Sequence, residues 1–283
     1  MKITIFIGGL SGGGAERVCC NLAGFLVDKG HNVTILNMTA DEPTYGLNPR
    51  VTRICLLEKK ERKNFVCDLW RRYTRLKKYV EETECDSYIV MLPITILFLL
   101  FFRRKTSATI IASERNMPTL YPKWQQMAMK YIAGKVSGWV FQTNEQRNWY
   151  GDSLKDVPYV IIPNAINEQF ICEPYIGKRR DCIVSVGRLM PQKNQALLIK
   201  AFSKVVKDYP FYKLQILGDG PLLTELEQIA KDCGIYQNVD FLGYVEDVSP
   251  FIKDASLFVL SSDFEGMPNA LMESMALGLP CIS

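Results

Sequence analysis

The sequence predicts an α/β protein made of two doubly wound, parallel-sheet domains in tandem. Three observations carry that expectation. Short β-branched runs alternate with helical patterns from the first residues onward. The alternation breaks once, at residues 163–182, and then restarts. The chain has 283 residues, long for one domain and sufficient for two cores.

The first domain is expected over residues 1–170. "KITIFIG" reads as a strand and "HNVTILNM" as a second. Between them "GAERVCCNLAGFLVDKG" has helical periodicity, with Val18, Leu22, Phe25 and Leu26 on one side. Strands follow near 51–56, 87–91, 108–112, 138–142 and 158–162, with helices near 63–84, 94–104, 120–134 and 145–152. The apolar run from Ile89 to Phe102 contains Pro93 and falls short of the ~20 residues that span a bilayer, so a strand followed by a buried or interfacial helix is expected. "PNAINEQFICEPYIGKRRDC" reads as the interdomain linker from its prolines and charge cluster. The second domain, 171–283, has strands near 182–187, 213–217, 239–242 and 256–261, and helices near 194–208, 221–233, 247–254 and 269–277. A fifth strand begins at "PCIS", where the sequence stops, so the second domain is expected to be truncated.

Bulk properties narrow the function classes. With 48% hydrophobic and 23% charged residues the chain reads as soluble and globular. A net charge of +4 does not suggest a dedicated nucleic-acid binder. The charge is uneven: residues 1–172 carry 23 Lys and Arg against 16 Asp and Glu, and residues 173–283 carry 11 against 14. A basic first half suits an anionic membrane surface or acidic substrate, or is simply a solvated face. Nine cysteines with no CxxC pair form neither a disulfide framework nor a zinc site, and a reducing cytoplasm fits them. No signal peptide is expected from the first residues, whose apolar run is too short.

Several strand-to-helix turns carry chemistry. "GGLSGGGAER" (8–17) brings Gly12, Gly13 and Gly14 to a helix start, where backbone amides can cradle an anion; a merely flexible turn is the plain alternative. As a dinucleotide fingerprint it lacks the third glycine. "VGRLMPQKNQALLIKAF" (186–202) repeats the arrangement with two cations, Arg188 and Lys193, which together suit a diphosphate. In "ILGDGPLLTELEQIA", Asp219 is expected to cap the helix that Pro221 starts. The backbone near Val245 is placed to flank a nucleobase. "DFEGMPNALMESMALGLP" (263–280) sets Glu265 before a helix and Glu273 one turn inside it, roughly 6–7 Å along its axis. Both acids can then face one extended polar ligand with an anionic centre, the layout of a sugar nucleotide. The plain alternative makes Glu265 a helix cap and Glu273 a solvated acid. Two carboxylates also suit a glycosidase. The neighbouring cations favour a leaving diphosphate, which needs electrostatic stabilisation more than a proton donor.

These stretches closely resemble the retaining family 4 glycosyltransferases of the GT-B fold, in particular bacterial members that build surface polysaccharides on lipid carriers. The resemblance rests on "GGLSGGGAERV" (8–18), "SERN" (113–116), "IPNAI" (162–166), "GRLMPQKN" (187–194), "GDGPL" (218–222) and "SSDFEGMPNALMESMALGLPCIS" (261–283), which holds the family's E-x7-E pair as Glu265 and Glu273. It implies two Rossmann-like domains facing a cleft: an acceptor-binding domain, 1–170, and a nucleotide-sugar-binding domain, 171–283. It implies catalytic roles for Glu265, Arg188 and Lys193: the cations hold the donor diphosphate and Glu265 contacts the transferred sugar. Donor contacts are implied at Gly12, Gly13, Gly14, Gly187, Val245, Gly266, Met267 and Asn269, and at Glu273 on the ribose hydroxyls. The reaction implied is transfer of a hexose or N-acetylhexosamine from a nucleotide diphosphate sugar, UDP-linked, to a lipid-linked or polysaccharide acceptor. No cofactor or metal is expected: there is no D-x-D motif, and Glu84-Cys85-Asp86, the nearest to one, reads as a solvated helix end. Some relatives place a histidine near the donor sugar; His31, the chain's one histidine, sits at a strand start, where a structural role is expected. Two alternatives remain: a GT-B sugar-nucleotide epimerase, and a nucleotide-binding protein without turnover.

Residues 59–82 read as a basic amphipathic helix. Phe65, Leu69, Tyr73, Leu76 and Val80 form an apolar stripe beside Arg62, Arg71, Arg72, Arg75, Lys77 and Lys78. Core packing of the stripe is the default expectation. Peripheral docking on anionic lipid is the alternative.

Overall fold

The computed structural model describes residues 1–10, 13–40, 46–173 and 175–283. It divides into two units, Met1–Asn164 and Ala165–Ser283. The division falls slightly ahead of 170/171, because Ile166 and Phe170 pack in the second unit's core.

The first unit runs β1 (Lys2–Ile7), α1 (Gly14–Asp28), β2 (Asn32–Asn37), β3 (Thr52–Cys55), α2 (Phe65–Glu82), β4 (Ser87–Met91), α3 (Pro93–Leu100), β5 (Thr109–Ser113), α4 (Lys123–Ile132), β6 (Gly138–Phe141), α5 (Asn144–Tyr150) and β7 (Tyr159–Ile161). Its strands pair in parallel in the order β3-β2-β1-β4-β5-β6-β7. The chain builds outward from β1 to one side, then crosses over to β4 and builds to the other. A crevice at the carboxyl ends of the strands opens where that order reverses. Both faces are covered, so successive residues of a strand enter different cores. Ile5 and Ile7 pack with Cys19, Ala23 and Val27 of α1. Phe6, between them, packs with Leu76 of α2 and Tyr88 of β4. The apolar run Ile89–Phe102 splits into β4 and α3 at Leu92, whose φ of 75° makes the turn ahead of Pro93. Among the described residues no helix is long and apolar enough to cross a membrane.

The second unit runs β8 (Cys182–Val186), α6 (Gln195–Asp208), β9 (Lys213–Leu217), α7 (Leu223–Asp232), β10 (Val239–Gly243), α8 (Ser249–Ile252), β11 (Leu257–Val259), α9 (Asn269–Ala276) and β12 (Cys281–Ile282). Its parallel order is β10-β9-β8-β11-β12, with the reversal between β8 and β11. Helix α8 is shorter than the expected 247–254. The Asp247 carboxylate accepts from both the amide and the hydroxyl of Ser249 (3.0 and 2.7 Å), which forms a turn before the helix starts.

The stripe on α2 departs from its expected packing. Leu76, Tyr79 and Val80 are buried, but Phe65 is 79% exposed and Trp70 66%, with Val66, Leu69 and Tyr73 exposed as well. Length accounts for this. Eighteen residues make a helix of about 27 Å, whereas a five- or six-residue strand spans roughly 17–20 Å. The first half of α2 therefore overhangs the sheet. A crossover helix runs antiparallel to its strands, so the overhang lies toward their carboxyl ends.

Candidate active site

The site is built on the second unit's switch point. Two loops leave adjacent strands there: residues 187–194 after β8 and residues 260–268 after β11. Lys193 Nζ donates to Glu265 Oε1 at 2.5 Å, and Ser262 Oγ donates to the same oxygen at 2.6 Å. Ser261 Oγ donates to the Lys193 carbonyl at 2.8 Å, and the Asp263 amide to the Gln192 carbonyl at 2.9 Å. Asn194, at φ 45°, works in both directions: its Oδ1 caps α6 at the Leu197 amide, and its Nδ2 donates to Asp263 at 2.7 Å. These bonds bring together the cation and the acid that the family resemblance implies share one site. The Arg188 side chain is exposed and has no ion-pair partner among the described residues. Its carbonyl is held by Gln195 Nε2 at 3.0 Å.

The β9–α7 turn supports this loop from beneath. Gly218 has φ 136°, and a Cβ there would lie 2.2 Å from the Gly187 carbonyl oxygen. A Cβ on Gly220 would lie 2.3 Å from that of Leu189. Only glycine permits both approaches. Asp219 is not the expected helix cap. Its Oδ2 accepts from the Tyr244 amide at 2.9 Å, tying the turn to the end of β10. Residues 221 and 222 form a turn, and α7 begins at Leu223 without a side-chain cap. Val245 follows on the same sheet edge and packs partly into the second core.

Both plain readings of the acid pair fail on geometry. Helix α9 has Pro268 as its N-cap and no side-chain cap bond, while Glu265 bonds Lys193 and Ser262 instead. Glu273 is not solvated: it is 2% exposed, whereas Met275, two residues on, is 61% exposed. An acid turned inward with a methionine turned outward inverts the usual helix pattern. Gly266, Met267 and Asn269 lie between the acids, in the loop and at the start of α9, all half-buried.

In the first unit, Gly12 lies outside the described residues. Gly13 is the N-cap of α1 and Gly14 its first residue. The chain's own Glu16 lies against this turn, since a Cβ on Gly13 would meet its carboxylate oxygen at 2.2 Å. His31 approaches the chain's amino terminus at 3.5 Å, beside the start of β2, away from the carboxyl edge. Glu84 and Asp86 are both engaged by Lys2, the latter through its amide at 2.7 Å. Among the described residues no group of His, Cys, Asp and Glu is arranged to hold a metal ion.

Sequence reasoning assigned no role to Glu114 of "SERN". It is fully buried after β5 and accepts from the hydroxyls of Tyr121 and Tyr150, each at 2.6 Å, and from the amides of Arg115 and Asn116 at 3.1 and 3.4 Å. Burial pushes its pKa above the usual carboxylate value, against the four donors that pull it down.

Two family models match this architecture unit by unit. Glycosyltransferase Family 4 matches residues 12–170, and Glycosyl transferases group 1 matches residues 169–283. The chain belongs to glycosyltransferase family 4. This family 4 chain is 29% identical over 280 residues to the Campylobacter jejuni GalNAc-alpha-(1->4)-GalNAc-alpha-(1->3)-diNAcBac-PP-undecaprenol alpha-1,4-N-acetyl-D-galactosaminyltransferase, covering 97% of this chain and 77% of the relative. It is 31% identical over 216 residues to an uncharacterized glycosyltransferase of Methanocaldococcus jannaschii, covering 70% of this chain and 53% of the relative. The chain thus spans about half the length of the second relative and about three quarters of the first. Among solved structures, a mutant of S. aureus TarM in complex with Fondaparinux, alpha-GlcNAc-glycerol and UDP superposes with a TM-score of 0.79 at 14% identity, covering 99% of this chain and 85% of that one. The likeness establishes the GT-B fold for this family 4 chain.

Proposed function

We propose that the protein is a retaining glycosyltransferase. It moves a hexose or N-acetylhexosamine from a UDP-sugar to a lipid-linked saccharide in surface glycan synthesis. The observation that carries this reading is the Lys193–Glu265 pair at the β8/β11 switch point, with Arg188, which has no ion-pair partner among the described residues, on the same loop as Lys193, and Glu273 buried on the helix that follows Glu265. When the bond from sugar to diphosphate breaks, negative charge grows on the leaving phosphate. Arg188 and Lys193 neutralise that charge, and fixed cations do so without reorganising solvent. Glu265 faces the electron-poor anomeric carbon, Gly266 to Asn269 line the sugar, and Glu273 holds the ribose hydroxyls. The relative that acts on a diphosphoundecaprenol-linked saccharide and the UDP-bound structural neighbour support the acceptor class and the nucleotide.

A panel of UDP-sugars assayed with and without an undecaprenyl-diphosphate saccharide tests the proposal. One donor is expected to be consumed only when the acceptor is present, giving an α-linked product by NMR. Turnover of donor alone would favour the epimerase reading. UDP binding with no turnover of any donor would favour a binding protein.

The overhang of α2 favours a further element of this function, docking on an anionic membrane that carries the acceptor. Phe65, Val66, Leu69 and Trp70 are exposed in a contiguous stretch beside the exposed Lys59, Lys60 and Lys63. Apolar and aromatic residues ringed by lysines suit the interface of acidic lipid. The arginines nearer the sheet are committed elsewhere: Arg75 pairs with Glu61 through both terminal nitrogens at 2.6 Å, and Arg72 donates to the Met38 carbonyl at 3.2 Å. Co-sedimentation with phosphatidylglycerol vesicles should therefore be lost in Phe65→Ser/Trp70→Ser and weakened in Lys59→Gln/Lys60→Gln/Lys63→Gln. Binding indifferent to lipid charge and to both variants would end this reading.

A further inference from the structure

We propose that Arg115 is a phosphate-binding residue of the first unit, receiving a phosphoryl group of a diphosphate-bearing ligand at the carboxyl end of β5. The inference rests on the transferase reading for its choice of ligand, not for its geometry. The Glu114 amide still pairs with the Val140 carbonyl at 2.9 Å, so the chain is extended there and successive side chains leave on opposite faces. Glu114 enters the core that holds Tyr150, whereas Arg115 turns to the side of α1, within electrostatic reach of Cys19. Glu114 is the nearest acid in sequence, but its oxygens are taken by two phenols and two amides, and it makes no ion pair with Arg115.

Among the described residues the hydrogen-bond partner of the guanidinium is neutral. Arg115 Nη1 donates to Asn164 Oδ1 at 3.1 Å, an oxygen that also accepts from Gln142 Nε2 at 2.6 Å. Arg115 Nε is buried and has no hydrogen-bond partner. Burial draws the guanidinium pKa down, outweighing the opposite pull of Cys19 and Glu114, the direction expected of a desolvated cation with no carboxylate hydrogen-bonded to it. A purely structural arginine would carry an acid hydrogen-bonded to its guanidinium, because a buried charge without such a partner destabilises the fold. A planar donor fork with an unused N–H at the carboxyl edge of a doubly wound sheet fits a phosphate. The donor nucleotide and a lipid-linked diphosphate acceptor both offer that chemistry.

Arg188→Gln/Lys193→Gln removes the second unit's cations and isolates the first unit's anion site. Calorimetric titration of this background with inorganic pyrophosphate should show residual binding. Adding Arg115→Gln should weaken it by about tenfold or more, and Arg115→Lys should restore part of it. The thermal midpoint of Arg115→Gln alone should stay level or rise, since a desolvated charge is removed. Absent pyrophosphate binding in the background, an affinity unmoved by Arg115→Gln, or a marked fall in thermal midpoint would each overturn the proposal. The single variant also identifies the source: a raised KM for the UDP-sugar assigns the site to the donor, and a raised KM for the lipid-linked saccharide assigns it to the acceptor. The pyrophosphate titration reads the Arg115 site even if no transfer occurs, so the two readings fail separately.

Discussion

Replacing Glu265 by Gln is expected to lower kcat for sugar transfer by about a thousandfold or more while the protein stays folded. The substitution keeps the side chain's size and one acceptor oxygen, so Ser262 and the loop retain their bonds. On the proposed mechanism, what disappears is the negative charge facing the carbon that becomes electron-poor as the diphosphate departs. Lys193 and Glu265 are about one fifth exposed, and water screens the cation left behind, so the thermal midpoint should move by only a few degrees. Glu273→Ala should act differently. Its proposed partner on the substrate is a ribose already bound before the reaction, so the loss should fall chiefly on donor KM. Steady-state kinetics of the two variants separate the roles, and full activity in both would remove these acids from the site.

Glu114→Ala is expected to destabilise the first unit by about 3 kcal/mol or more, read by urea unfolding. Four donors lose their acceptor at once, and the hydroxyl of Tyr150 is left in a residue only 1% exposed. The pH dependence has a defined sign. Because the folded-state pKa is raised, the stability Glu114 contributes is fully present below its ordinary pKa and declines as pH rises through the raised value. The wild-type margin over Glu114→Gln should therefore narrow from acid toward neutral pH. A margin that widened instead would mean that the four donors outweigh burial and hold the carboxylate ionised.

Much of this architecture was legible because strands and helices carry different periods. The strand expected at 213–217 is Lys213–Leu217, and the helix expected at 194–208 is α6. Right-handed crossovers restrict the order of each sheet without fixing it, so the orders themselves come from the structure. The E-x7-E spacing likewise put two acids on one short helix and its leading loop. What stayed hidden depended on tertiary partners. Nothing local shows that Lys193 meets Glu265, because 72 residues separate them. Glu114 looked like any surface acid until tyrosines 7 and 36 residues away closed over it. The stripe on α2 misled because periodicity reports which face is apolar, not how far the sheet beneath it extends. Asp219 misled because a proline after Gly-Asp-Gly can form a turn as readily as it can begin a helix.

Under the proposed role of Lys193, its bond to Glu265 makes donor capture an exchange rather than an addition. An incoming diphosphate competes with an internal carboxylate for the same ammonium, and part of its attraction is offset by the contact it displaces. On that proposal the same carboxylate is at hand to receive the ammonium when the nucleotide departs. A site built this way trades tightness of binding for ease of turnover.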